Sequence, residues 1–306
     1  MTNVCNVRRS SHTAAGRPDV ATLRVRAGID IDSGSGDGMA IPTYVIRGGL
    51  EGRERLRVLC RVMWPTTSRL LAEVGIPEDA RCLDLGCGSG DVTIALAELA
   101  PKGRAVGTDL DDEKVELARA EAASIGVQNV DFRVDDVMQQ PHDGQMYDVI
   151  YARFLLTHLT DPARALANIR ARLAPGGVVI IEDIDFTGHF CHPHNDTFWR
   201  YVELYSQAVQ HRGADPNIGP RLPGLLADAG LVDVGVHVVQ PAGMTGEVKL
   251  ISPITLEAIA DAVLAADLAT HDELAQTVDG LYAFAETEGT FMSIPRIVQA
   301  WGRAGG

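Results

Sequence analysis

The residues best placed by type and spacing to do chemistry lie in the run Cys82-Leu83-Asp84-Leu85-Gly86-Cys87-Gly88-Ser89-Gly90-Asp91. A strand-like stretch ends at Leu85, three glycines follow at alternate positions, and Asp91 stands where it can cap a helix. Glycines suit a turn at which a ligand meets backbone N–H groups and a helix start, because a side chain would block the approach. Alone, such a turn serves nucleotide sites and plain tight turns alike. A dinucleotide fingerprint wants its third glycine at position 91, which here is Asp91, and a phosphate-cradling loop needs a Lys-Ser/Thr pair that this run lacks. Asp84 and Asp91 would also repel a pyrophosphate. A cationic ligand without phosphate fits better.

Asp109 comes 23 positions after Gly86, behind Val106-Gly107-Thr108. A carboxylate at such a strand end can accept both hydroxyls of a ribose. Helix capping is its plainer role, and the glycine loop upstream favours the ribose. Three further signals follow in order. They are Asp136-Val137 after Phe132-Arg133-Val134, the run from Tyr147 through Ala152-Arg153 to His158, and Leu173-Ala174-Pro175-Gly176-Gly177 ahead of Val178 to Asp183. His158 is either a general base for a hydroxyl nucleophile or a structural histidine holding its loop. Asp183 is either a cap or a substrate contact. Trp199, Tyr201 and Tyr205 either wall an apolar pocket or form a helix core stripe. His189, His192 and His194 flank Cys191, but zinc would need a fourth ligand and a second shell that cannot be placed. A mobile, solvated cap loop is expected there, and no metal.

The elements that must position these groups follow from periodicity. Leu56, Leu59, Val62, Met63, Leu70 and Leu71 recur at helical spacing, and Pro65 is expected to divide that stretch into two helices. Strands are expected at Cys82–Leu85, Ala105–Thr108, Val130–Val134, Asp148–Tyr151, Val178–Glu182 and Val232–Val239, with a last one near Arg296–Trp301. Helices are expected near 91–99, 112–125, 161–173 and 221–229. The alternation implies an α/β fold, a mostly parallel sheet with helices on both faces. Residues 1–40 read as a flexible segment, 41–80 as an N-terminal helical lid, and 81–306 as the main domain. Insertions at about 187–221 and 252–288 would build a helical cap over the site.

The 306 residues carry Lys+Arg 27 against Asp+Glu 41, a formal net charge of −14. That balance disfavours a nucleic-acid partner, since a polyanion is repelled at range. Five scattered cysteines without a C-x-x-C pair fit a reducing compartment better than a disulfide framework or a zinc site. Apolar runs such as Val178 to Ile181 are too short to span a bilayer. A cytoplasmic protein with a small-molecule partner is expected, its oligomeric state left open.

With the five signals in this order and spacing, the stretch from about Arg81 to Gln240 resembles the class I S-adenosylmethionine-dependent methyltransferases. Within them it is most similar to the small-molecule branch of ubiquinone/menaquinone-biosynthesis type. The resemblance implies a Rossmann-like sheet and S-adenosylmethionine as cofactor. It implies that Asp84, Gly86, Gly88 and Gly90 surround the methionine part, that Asp109 takes the ribose hydroxyls and that Leu110 packs beside the adenine. Asp136 would accept from the adenine amino group while the Val137 N–H meets the ring. Ala152 and Arg153 would lie beside the sulfonium, and His158 would face the site. Tyr44, in Tyr44-Val45-Ile46-Arg47-Gly48-Gly49, matches a segment that folds over the cofactor. The implied activity is methyl transfer to oxygen, nitrogen or carbon of a small molecule, with secondary metabolism as one setting. An NAD-dependent oxidoreductase and a non-catalytic S-adenosylmethionine-binding protein are the rival readings.

Overall fold

The computed structural model describes residues 49–139 and 144–305. The expectations for residues 1–40 and for Tyr44 lie outside them. The chain enters through a long helix, α1 (Gly49–Val74), and then alternates: β1 (Arg81–Leu85), α2 (Asp91–Leu99), β2 (Arg104–Asp109), α3 (Asp112–Ile125), β3 (Val130–Val134), β4 (Tyr147–Arg153), α4 (Pro162–Ala171) and β5 (Leu173–Asp185). After β5 come β6 (Cys191–His192), α5 (Asp196–His211), α6 (Leu222–Asp228), β7 (Leu231–Val239) and β8 (Ala242–Gly243). The chain closes with α7 (Ile251–Ala258), α8 (Ala260–Ala265), α9 (His271–Glu286), β9 (Phe291–Ser293) and β10 (Arg296–Ala304).

Seven strands form one sheet in the order β3-β2-β1-β4-β5-β10-β7. β10 runs antiparallel to both its neighbours, while the pairs among β1 to β5 are parallel. Strand pleating sends successive side chains to opposite faces. Leu83, Leu85, Ile150, Val179 and Ile181 pack with Leu166 and Ile169 of α4 and Leu222 and Leu226 of α6. Cys82, Val149, Tyr151, Val178 and Ile180 meet Leu70, Leu71 and Val74 of α1 and Val92, Leu96 and Ala97 of α2 on the other face. Both faces being covered explains why these strands read as continuous apolar runs rather than alternating ones.

A third apolar cluster stands apart from the sheet faces. Val58, Leu59 and Met63 from the first half of α1 pack with α5, α7, α8 and α9 and with Ile184 and Phe186 at the end of β5. The two long insertions therefore do make a helical layer, and they also contribute a small sheet, β6-β9-β8, which periodicity did not reveal. Strands of two or three residues are too short to carry a pattern.

The expected break at Pro65 does not occur, because α1 runs through it. Met63 on one side of the proline is fully buried in the cap, and Leu70 and Leu71 on the other are buried against the sheet. Packing at both ends outweighs the lost backbone hydrogen bond, and the Thr66 hydroxyl serves the Met63 carbonyl at 2.8 Å.

Candidate active site

The carboxyl ends of β1, β2, β4 and β5 lie side by side, and the glycine-rich turn opens from the first of them. Gly86, Gly88 and Gly90 all have positive φ. At Gly88 a Cβ would come within 3.2 Å of Leu56 from α1, so this helix lies directly over the loop. Gly90 is glycine for a different reason. A Cβ there would meet the Phe132 ring at 2.8 Å and the Ala118 Cβ at 2.9 Å, so it is the close approach of α2 to α3 and β3 that demands it. Gly90 is also the N-cap of α2, with no side-chain cap, and Asp91 is already the first helical residue. The cap expected from Asp91 is thus absent. Its carboxylate takes the Ser89 hydroxyl instead.

Asp109 braces the loop. Its Oδ2 accepts from the Gly88 N–H at 3.0 Å and its Oδ1 from the Asp111 N–H at 3.1 Å. Each carboxylate oxygen retains a lone pair for a further donor. Leu110, next along the chain, is 52% exposed and presents an apolar surface after the end of β2. Asp84 lies beneath the turn, buried, with Oδ2 accepting from the Thr93 hydroxyl at 2.6 Å. Burial pushes its carboxyl up to about 7, although the Thr93 bond and the charge of Arg153 pull it down. Asp136 uses its Oδ1 for the Met138 N–H at 2.9 Å, and the Val137 carbonyl accepts from Asn168 at 2.9 Å, so this loop is held from both sides.

A glycine turn at the end of the first strand, an acidic residue ending the second and this strand order meet at one edge. Residues 76–213 match the family model described as a methyltransferase domain. This part of the chain is a methyltransferase domain. An uncharacterized methyltransferase of Schizosaccharomyces pombe is 28% identical over 164 residues, 51% of this chain and 58% of that protein. The trans-aconitate 2-methyltransferase of Variovorax paradoxus is 36% identical over 113 residues, 37% of this chain and 42% of its own. A demethylmenaquinone methyltransferase of Staphylococcus aureus is 31% identical over 113 residues, 37% and 46% of the two chains. The chain thus spans about half the length of the curated relatives it matches. A solved Bacillus halodurans protein, described as a candidate methyltransferase, covers 78% of this chain and 98% of its own at a TM-score of 0.54. Its 18% identity speaks for the fold alone.

The methyltransferase domain places the remaining candidates unevenly. Ala152 is buried at the end of β4. Arg153 turns toward α1, its Nη1 donating to the Thr67 hydroxyl at 3.4 Å within electrostatic range of Glu182 and Tyr151. The next residue, Phe154, takes φ +54, a rare conformation for a bulky side chain, and swings the chain into the short turn Leu156–His158. Asp183 is fully buried, with Oδ2 accepting from the Thr157 N–H at 3.2 Å and Oδ1 from Ile184 at 2.8 Å. It holds that turn in place, which is the capping alternative. Desolvation, helped by the charges of Arg55, Lys114 and Arg212, holds the His158 imidazole down at about 3. A base that weak accepts few protons near neutrality, so His158 acts there as a neutral ring.

The aromatic residues separate. Tyr201 and Tyr205 are buried on one face of α5, with Tyr205 stacked on Phe186 at 3.7 Å between centroids. Trp199 sits on the flank of the helix beside the exposed His194. Trp199 is on a different face of the helix from the two tyrosines and packs, partly buried, against the same apolar cluster. Nor is the 189–194 stretch wholly solvated. His189 is buried against Phe186 and Tyr201 and hydrogen-bonded through Nδ1 to the Phe186 carbonyl at 2.8 Å, and Cys191–His192 is a strand. Among the described residues no cluster of His, Cys, Asp or Glu could hold a metal. Periodicity did not single out Thr67 or Glu182. The one visible signal was Glu182 itself, an acid inside the apolar run Val178 to Ile184.

Proposed function

We propose that this chain transfers a methyl group from S-adenosylmethionine to a small organic molecule. The observation that carries the reading is Asp109, whose carboxylate is fixed by two backbone N–H groups beside the left-handed Gly88 and the exposed Leu110. Asp109 would take the ribose hydroxyls, Leu110 the adenine face, and the loop Gly86 to Gly90 the methionine part, with Asp136 and Val137 at the base. Asp84 below supplies negative charge where a dinucleotide would bring its own. When bound, the cofactor supplies an electrophilic methyl on a sulfonium.

The chain's own share is alignment and exclusion of water. α1, through Leu56, covers the glycine loop, and the cap cluster around Phe186, Tyr201 and Tyr205 covers the end of β5. Such alignment in a dry site is worth roughly 7–11 kcal/mol in good cases, enough for an in-line displacement without a covalent intermediate. The relatives named for small-molecule methyl transfer favour an acceptor of that kind.

Calorimetry with S-adenosylmethionine, its demethylated product and NAD tests the reading. The first two should bind, and Asp109→Ala should weaken both by roughly 1.5–3 kcal/mol, the worth of hydrogen bonds to a charged group. Binding of NAD with neither of the others would overturn it. Incubating labelled cofactor with cell extract then identifies the acceptor.

A further inference from the structure

The sheet ends on an unguarded edge. β7 pairs only with β10, and among the described residues no strand lies on its other side, so a row of backbone N–H and C=O groups faces outward. Val236 and Val238 stand opposite Ala300 and Val298, two core residues of the α6 face, and so share that face. Val234 packs partly into the same cluster. The row then runs out into solvent, with Val236 and Val238 48% and 59% exposed. Folded proteins blunt such edges with lysine, proline or a bulge. β7 holds no Lys, Arg or Pro. Its bulge comes early, where Asp233 takes φ +52 and the register shifts between Trp301 and Arg303, which leaves Gly235 to Val239 regular against β10.

Charge narrows what can cover this edge. Residues 222–242, which hold α6 and β7, contain only Asp228 and Asp233 as charged residues, in a chain that is 22% charged. An acidic segment is repelled by a chain of net charge −14, and a basic one finds few carboxylates on these elements. The strand that fits is apolar at alternate positions and nearly uncharged. β7 is itself such a strand. Two copies run antiparallel about a two-fold axis at Val236 set Val234 opposite Val238, Val236 opposite itself and Gly235 opposite His237. The three valines of each copy then meet on one face, in β-branched cross-strand pairs that stabilise a sheet. On the other face each imidazole, paired with Glu73 of its own copy at 3.2 Å, comes opposite a glycine, so no like charge stands across from it. An axis at His237 would set the two imidazoles face to face, and one at Gly235 would draw the bulged Asp233 into the ladder.

We propose that two copies of this chain associate through β7, joining their seven-stranded sheets into one across a two-fold axis at Val236. Such pairing is isologous and closes at two copies. The inference is independent of the methyl-transfer reading, because β5 and β10 separate β7 from β4 and the glycine turn lies beyond. A short strand pair makes a small interface, below the roughly 1,200 Å² of stable complexes, so the dimer is reversible and concentration-dependent.

Sedimentation velocity of the full chain, from micromolar to sub-millimolar concentration, tests the pairing. The wild type should pass from monomer to dimer, and the double variant Val236→Lys, Val238→Lys should stay monomeric with an unchanged far-UV circular dichroism spectrum. Val236→Cys, oxidised with diamide, should cross-link two copies, since position 236 faces itself across the axis. Val232→Cys should cross-link no more than the wild type. A wild type that is monomeric throughout would overturn the proposal, as would a dimer that survives both lysines. Cross-linking through Val232→Cys and not Val236→Cys would overturn the axis. Protection of the β7 amides from hydrogen exchange in a monomer, at every concentration, would assign the edge to the chain's own residues and overturn it as well. The cross-linking comparison stands even if the double variant does not fold.

Discussion

Thr67, in the second half of α1, donates its hydroxyl to Glu182 Oε1 at 2.7 Å across 115 residues of sequence. The same carboxylate accepts from the Tyr151 hydroxyl and, on Oε2, from Gln299 at 2.6 Å, and it faces Arg153. One buried acid thus ties α1 to β4, β5 and β10. Replacing Glu182 with Leu leaves the Thr67 and Tyr151 hydroxyls and the Gln299 amide without their buried acceptor and should cost about 1–3 kcal/mol for each stranded donor. Glu182→Gln keeps an acceptor for the two hydroxyls and should cost less. Urea unfolding ranks the variants, and a Glu182→Leu protein as stable as the wild type would dissolve this account.

The glycine turn should divide between packing and binding. Gly90→Ala forces a methyl into the Phe132 ring at a φ of +81, and overpacking of this kind costs about 1–3 kcal/mol. Gly88→Ala bears the backbone strain of φ +54 but meets only the movable end of Leu56. Its main expected effect is weaker binding of S-adenosylmethionine. Paired melting and calorimetry curves check the division, and equal stability losses for the two variants would refute it.

Acid should find the buried histidines. His189 is held at about 4 and His158 at about 3, below the ordinary 6.5, in both cases chiefly by desolvation. Above pH 6.5 both states are neutral and the full stability is present. As pH falls, the unfolded chain takes up protons that the folded one refuses, so stability is lost from 6.5 down toward 4. Asp84 and Asp183, both raised to about 7 by burial, act in the opposite sense over about 4 to 7. The difference between wild type and His189→Leu isolates the histidine. Its stability gap should shrink as pH drops from 6.5 to 4, and a constant gap would remove His189 from the acid limb.

Asp84 gives a proton signature of cation binding. With its carboxyl near 7 in the free protein, it is partly protonated at neutral pH. A positive ligand nearby favours the ionised form, so S-adenosylmethionine should release a fraction of a proton on binding, and the uncharged-sulfur product should release less. Titrations in buffers of different ionisation enthalpy measure this. The effect should vanish in Asp84→Asn, and equal release by both ligands would place the cation elsewhere.

The sequence by itself determined the sheet and its ligand-bearing edge. Runs such as Val178 to Ile181 and the turn after Leu85 are local signals, since strand burial, helix periodicity and glycine conformation act over a few neighbouring residues. Helices at 91–99 and 112–125 came out at the observed bounds for that reason. Only the tertiary structure decided what depends on contacts between distant segments. It carried α1 through Pro65, because the helix is buried on both sides of the break. It buried Tyr201 and Tyr205 on one helix face and left Trp199 only partly buried on another. It set Asp183 to holding a turn. Burial and charge at such points are sums over the whole fold, which residue spacing cannot supply.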